Sequence, residues 1–177
     1  GTRSQEGGGT ADYRAALEAV PPGDPLSIYI HIPFCQRRCS YCGCHVVATP
    51  RTSIASEYLA RLSREMELVR GILPGPARAA AVHVGGGTPT YVAPADLLRL
   101  LRTVHRLFTL PGGEETSVEV DPRVTSEEQL RVLRERGFRR ISLGVQDFDS
   151  RVQESVNRVQ SIDEVRVVTE IARKLGY

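Results

Sequence analysis

No stretch of the 177 residues is apolar for anything near the roughly 18–20 positions of a membrane-crossing helix. The first nine residues are polar and glycine-rich, unlike a secretory signal. A basic surplus is missing too: 23 basic side chains face 21 acidic ones, a net charge of +2. That argues against a general nucleic-acid binder, which sets many cations against phosphate. Lysine occurs only at Lys174. A spread of cysteines is lacking as well. Cys35, Cys39, Cys42 and Cys44 all fall on one short segment, where they cannot staple distant parts of the chain as a secreted disulfide framework does. Nor does any nucleophile–base constellation stand out, which disfavours hydrolysis. The absences lead us to expect a soluble cytoplasmic chain of roughly one domain, folding around its own core.

What is present alternates. Residues 1–25 read as a flexible tail or linker, with a short helix available over residues 11–20 before Pro21-Pro22-Gly23-Asp24-Pro25 breaks it. Strands are expected at Leu26–Pro33, Ala80–Gly85, Ser117–Asp121 and Arg140–Gln146, from period-two alternation. Helices are expected at Ser53–Leu73, Ala95–Phe108, Ser126–Glu135 and Ser161–Leu175, from apolar residues three and four apart. The last two open on Ser126-x-x-Gln129 and Ser161-x-x-Glu164 capping boxes. Repeated strand–helix units mean an α/β fold with parallel strands. One strand face carries Ile28, Ile30, Ile32, Val82, Val84, Val118, Val120, Ile141 and Leu143; the other carries Tyr29, His31, His83, Glu119, Asp121, Ser142 and Gln146. A sheet covered on both sides would be apolar on both, so helices cover one side and the other lines a cavity, as in part of a barrel. Four units cannot close a barrel, so residues 26–177 read as the N-terminal part of a longer domain, with an exposed sheet edge.

Chemistry is concentrated in Cys35-x-x-x-Cys39-x-x-Cys42, directly after the first strand. Three thiolates on a short loop can hold three irons of a compact cluster and leave a fourth open to a ligand. A four-cysteine zinc site that uses Cys44 is the other reading. The Gly85-Gly-Gly-Thr-Pro-Thr90 turn lacks the lysine of a Walker loop and the glycine spacing of a dinucleotide fold. Its glycines would let backbone approach a ligand. Glu119 and Gln146 point to the polar side; Asp121 and Asp147 read as caps of the turns that follow. His31 and His83 read as hydrogen-bonded rather than catalytic, and His45 is a further candidate. Arg37 and Arg38 suit carboxylates. Arg131, Arg134, Arg136 and Glu135 read as an exposed helix face.

The segment from Tyr29-Ile-His-Ile-Pro-Phe-Cys35 to Cys42 resembles the cluster motif of radical S-adenosylmethionine (SAM) enzymes. With Gly85–Thr90, Glu119-Val-Asp-Pro-Arg123, Gly144-Val-Gln-Asp-Phe148 and Val156-Asn-Arg158, it resembles the oxygen-independent coproporphyrinogen oxidases of that superfamily. The resemblance implies six strand–helix units, four of them present here. It implies a [4Fe–4S] cluster on Cys35, Cys39 and Cys42, with Cys44 as an accessory outside the ligand set. It implies SAM held by Tyr29, Gly86, Gly87, Thr88, Glu119, Gln146 and Arg158, and room for a second SAM near Tyr41. The implied activity is oxidative decarboxylation of coproporphyrinogen III propionates to vinyl groups, giving protoporphyrinogen IX without oxygen. A flavodoxin or ferredoxin would supply electrons, and the full-length enzyme would be a monomer. Related readings are another tetrapyrrole enzyme of the superfamily, a haem chaperone (which usually carries an aromatic residue where Cys44 stands), or a non-catalytic metal-binding fragment.

Overall fold

The computed structural model describes residues 9–113 and 115–177; the first eight residues of the expected tail lie outside them. Helix α1 (Thr10–Glu18) precedes strand β1 (Leu26–Ile32). Two short strands follow, β2 (Phe34–Cys35) and β3 (Val47–Ala48), then helix α2 (Ser53–Ile72). Strand β4 (Ala79–Gly86) leads through a single 3-10 turn, Pro89–Tyr91, into α3 (Pro94–Leu107). Strand β5 (Thr116–Val120), α4 (Glu127–Glu135), β6 (Arg140–Leu143), α5 (Ser150–Ser155) and α6 (Ile162–Lys174) complete the order.

Strands β1, β4, β5 and β6 form one parallel sheet in that order. The apolar strand face is the buried one: Ile30, Ile32, Val82, Val84, Val118 and Val120 are all buried. They pack with Leu59 and Met66 of α2, Leu97, Leu100, Leu101 and Val104 of α3, Leu130 and Leu133 of α4, and Val168 and Ala172 of α6. Each fully buried Val or Leu contributes roughly 1.5–3 kcal/mol. The opposite face stays open, with Tyr29 58% exposed and Ser142 exposed. The expected one-sided α/β sheet is therefore present.

Local signals act as the sequence predicts in several places. Ser126 accepts from the Gln129 N–H and Ser161 from the Glu164 N–H, and both capping boxes close. Gln129 does more than cap: it is buried, and its amide donates to the Thr90 and Val92 carbonyls at 2.6 and 2.7 Å. The other strand boundaries fall within one residue of expectation, and β6 departs furthest. β6 ends at Leu143 rather than Gln146, because the chain turns back on itself: the Val145 N–H donates to the Leu143 carbonyl, and Gln146 has φ +66°. The arginine face of α4 is only partly solvated. Arg131 pairs with Glu127 at 2.5 Å, but Arg134 lies 5.6 Å over the Tyr177 ring.

Phe138 is fully buried beside Leu133 in the core that joins α4 to the sheet. Phe138→Ala should cost about 3–5 kcal/mol of folding free energy, against about 1 kcal/mol for Ser126→Ala at the α4 cap. Urea unfolding of both variants checks that order.

Candidate functional site

All four parallel strands deliver their C-terminal ends to one place, where α/β folds gather ligands. β1 runs into the cysteine loop and β4 into the glycine turn. β5 brings Glu119 and then Asp121 and Arg123, and β6 brings Gly144 and Gln146. These residues line a cavity of about 270 Å³, with Arg37, Arg38, Tyr41, Ser142 and Arg158.

The loop is closed by its own ends. β2 pairs with β3 in parallel, Phe34 beside Val47 and Cys35 beside Ala48. The Val47 N–H donates to Pro33 and the Thr49 N–H to Cys35, at 2.7 and 2.9 Å. Aromatic rings support it from below: Phe34 packs edge-on to Tyr58 and stacks on Tyr91, whose hydroxyl donates to the Thr49 carbonyl. Cys35, Cys39, Cys42 and Cys44 are thereby held around one space; Cys39 is buried and Cys44 exposed. Among the described residues, no three His, Cys, Asp or Glu side chains gather tightly enough for a single metal ion. Three thiols of one short loop that line a shared cavity are a donor set that suits an iron–sulfur cluster. Burial pushes the Cys35 thiol above its ordinary range; a Thr88 hydroxyl contact at 3.4 Å works against this, and the neighbouring thiols add to it.

A second segment latches the loop from the far side. The Ser40 N–H donates to Val156, the Asn157 amide donates to the Arg38 carbonyl at 2.8 Å, and Arg158 Nη1 stands 3.7 Å from Cys39 Sγ. Arg158 is itself buried. Its Nε and Nη2 donate to the Gly144 carbonyl, and its Nη1 faces the Asp121 carboxylate at 3.3 Å. Most of its five N–H groups are thus engaged within the protein. Asp121 also grips Arg123, Oδ2 to Nη2 at 2.6 Å, and accepts from the Arg123 backbone N–H. Burial alone would raise the Asp121 pKa, but the Arg123 hydrogen bonds and the Arg158 and Arg123 charges outweigh it and hold the carboxyl below its ordinary range.

The glycine turn uses its backbone on the protein. The Gly87 N–H donates to the Ile32 carbonyl and the Thr88 N–H to Phe34. A Cβ on Gly87 would stand 2.7 Å from the Phe34 carbonyl oxygen, and Gly86 has φ +121°, a conformation open to glycine. Glu119 accepts from the Gly86 N–H at 3.2 Å and faces His83 Nε2 at 3.3 Å.

Gly86, Gly87, Thr88, Glu119, Gln146, Arg158, Tyr41 and the four cysteines are thus brought together at one cavity. Gln146 arrives there by its left-handed turn, not as a strand residue. Tyr29 is not among the lining side chains; its hydroxyl meets His31 Nδ1 at 3.1 Å. His31 in turn contacts the His45 carbonyl. Asp147 caps its turn through the Asp149 N–H. Sequence reasoning missed the Asp121–Arg158 pair, the role of Arg123 and the Asn157 latch. Their one signal was membership in quoted motifs.

The chain matches the Radical SAM superfamily over residues 29–177. It is 44% identical over 176 residues to a Pseudomonas aeruginosa protein named oxygen-independent coproporphyrinogen III oxidase, covering 97% of this chain and 38% of that protein. An Escherichia coli protein of the same name is 40% identical over 166 residues. The solved structure of E. coli coproporphyrinogen III oxidase superposes with a TM-score of 0.88 at 38% identity, over 96% of this chain and 39% of the other. Methylornithine synthase shares the fold, with a TM-score of 0.55 at 18% identity, over 86% of this chain and 42% of the other. The chain thus spans less than half the length of these relatives.

Asp121 supplies a pH test. Its folded-state pKa is lowered, so its contribution to stability is complete above the ordinary aspartate value of about 3.9 and is lost as pH falls through the depressed folded value. Asp121→Asn should cost about 3 kcal/mol at pH 7, since it strands the buried Arg158 guanidinium and the half-buried one of Arg123. That cost should shrink below about pH 4. Denaturant unfolding of the metal-free chain across pH 2.5–7 (roughly the range that brackets the titration) checks it; an equal cost at both ends would contradict the pairing.

Proposed function

The chain belongs to the radical SAM superfamily, and from that premise we propose that it is the cofactor-holding part of an oxygen-independent coproporphyrinogen III oxidase. The observation that carries the reading is one cavity lined at the same strand ends by Cys35, Cys39, Cys42, the Gly86–Thr88 turn, Glu119 and Arg158. The names of the relatives at 44% and 40% identity support the substrate. In the proposed reaction each of two propionates would give one hydrogen atom to a radical derived from SAM and one electron to an external acceptor, and would release CO2, leaving vinyl groups.

Cys35, Cys39 and Cys42 would ligate a [4Fe–4S] cluster, with Cys44 outside the ligand set. Bound together, cluster and SAM supply one-electron chemistry able to take hydrogen from an unactivated carbon. The protein residues have more modest tasks. Arg158 and Arg123 set positive charge beside Cys39 and offset the negative charge of clustered thiolates. Thr88 holds Cys35. The remaining lone pairs of Glu119 would receive N–H groups of the SAM amino group, and the Gln146 amide and the remaining Arg158 N–H would meet its polar groups. Tyr29 would act from the rim through His31. Half-exposed Tyr41 would shield the cluster and border a second SAM. Arg37 and Arg38 would face the substrate propionates as planar donors. A flavodoxin or ferredoxin electron donor, a monomeric full-length enzyme and a cytoplasmic setting complete the proposal. Among the described residues, no helix is long and apolar enough to cross a membrane.

Anaerobic reconstitution with iron and sulfide, followed by electron paramagnetic resonance of the reduced protein, tests this reading. A [4Fe–4S] signal that changes when SAM is added is expected. Cys44→Ser should keep cluster absorbance, and Cys39→Ala should lose it. Bound zinc at one per chain, with no cluster, would overturn the reading.

A further inference from the structure

Behind Glu119 stands a histidine that the reaction does not use. His83 on β4 lies beside Ser117 on β5, and Val84 beside Val118. One further step along both strands sets Glu119 opposite Gly85 on the open face of the sheet. Gly85 leaves the floor there bare: a Cβ would stand 2.9 Å from His83 Nε2 and 3.1 Å from the Glu119 carboxyl carbon. The carboxylate leans across that gap. Its Oε1 faces His83 Nε2 at 3.3 Å, and its Oε2 accepts from the Gly86 N–H at 3.2 Å. His83 is itself fixed on its other sides. Its Nδ1 is 2.8 Å from Ser117 Oγ, and the Tyr29 ring stacks on it at 5.8 Å with a 20° tilt.

The carboxylate fixes which nitrogen faces it as a donor. An ionised carboxylate only accepts, so His83 Nε2 carries a proton, and with one proton on the ring Nδ1 accepts from the Ser117 hydroxyl. Each carboxylate oxygen then spends one acceptor position on the protein and keeps one free. Glu119 lines the cavity, so the free positions are available to a ligand there. Unheld, a glutamate on an open sheet face would sample many rotamers, and ordering it would weigh against binding.

We propose that His83 is a positioning residue that fixes the Glu119 carboxylate to receive the amino group of SAM. The inference rests on the reading of Glu119 given above. His83 acts through Glu119 and need not touch the ligand, much as residues behind metal ligands orient them.

Equilibrium binding of SAM to the reconstituted chain tests it, read beside iron content and melting temperature. His83→Phe keeps a ring to stack on Tyr29 and removes both nitrogens. It should bind SAM about tenfold more weakly with iron content unchanged. His83→Gln, whose amide can donate to Glu119, should recover most of the affinity. Glu119→Gln should also weaken binding, and the double variant His83→Phe/Glu119→Gln should bind no more weakly than Glu119→Gln alone, because one residue acts through the other. Long-range proton–nitrogen correlation on the metal-free chain should show the Nε2–H tautomer of His83. Parent-like SAM binding by His83→Phe beside weak binding by Glu119→Gln, or an Nδ1–H tautomer, overturns the proposal and leaves the reading of Glu119 standing. Parent-like binding by Glu119→Gln removes that reading first, and the positioning role with it.

Discussion

One buried ion pair joins the parts of this site that no regular secondary structure joins. Asp121 leaves the end of β5 and Arg158 follows α5, yet their side chains meet at 3.3 Å, with only 8% and 10% of the two side chains exposed. From that meeting point Arg158 reaches the β6 exit through the Gly144 carbonyl and the cysteine loop through Cys39. A buried charge is costly unless paired and hydrogen-bonded. The position of Arg158 is therefore dictated by a place where a carboxylate, a carbonyl and a thiol converge. The loop that carries the cysteines contains no helix, so its shape depends on such contacts and on the β2–β3 pairing at its base.

The one-sided sheet makes this possible. Helices cover the aliphatic face and leave the other bare, so polar side chains on the open side keep hydrogen-bonding freedom. His83, Ser117 and Glu119 on adjacent strands satisfy one another there. Had helices covered both faces, each of these groups would have needed a buried partner from a helix.

The regular part of the fold was legible because it is periodic. The alternation of Ile28, Ile30 and Ile32 and the three- and four-residue spacing of Leu97, Leu101 and Val104 are local signals, and the burial follows them. The cap serines were legible because a cap spans three residues. Non-local features were not. Val145 and Gln146 continue the alternation of β6 in sequence, but the chain turns there because Gly144 is held by Arg158, 14 positions on. Two-residue strands such as β2 and β3 carry no period at all. The site residues themselves were readable from motifs, but the motifs did not tell which side chains would face a ligand and which would face each other. Arg158 illustrates the difference: expected to help hold SAM, it spends most of its donors on Asp121, Gly144 and Cys39.

The glycine turn makes the same point more sharply. A run of glycines after a strand suggests backbone laid bare for a ligand. Here the amide hydrogens of Gly86, Gly87 and Thr88 are all taken, by Glu119, Ile32 and Phe34. Side chains are missing at Gly85 and Gly87 because the protein itself occupies the space, with the Glu119–His83 pair at one and the Pro33–Phe34 backbone at the other. The turn is thus a joint between β4 and the start of the cysteine loop, and it sets the level at which Thr88 meets Cys35. A ligand in this cavity meets groups already fixed by one another, and that prior ordering is what lowers the entropic cost of holding it.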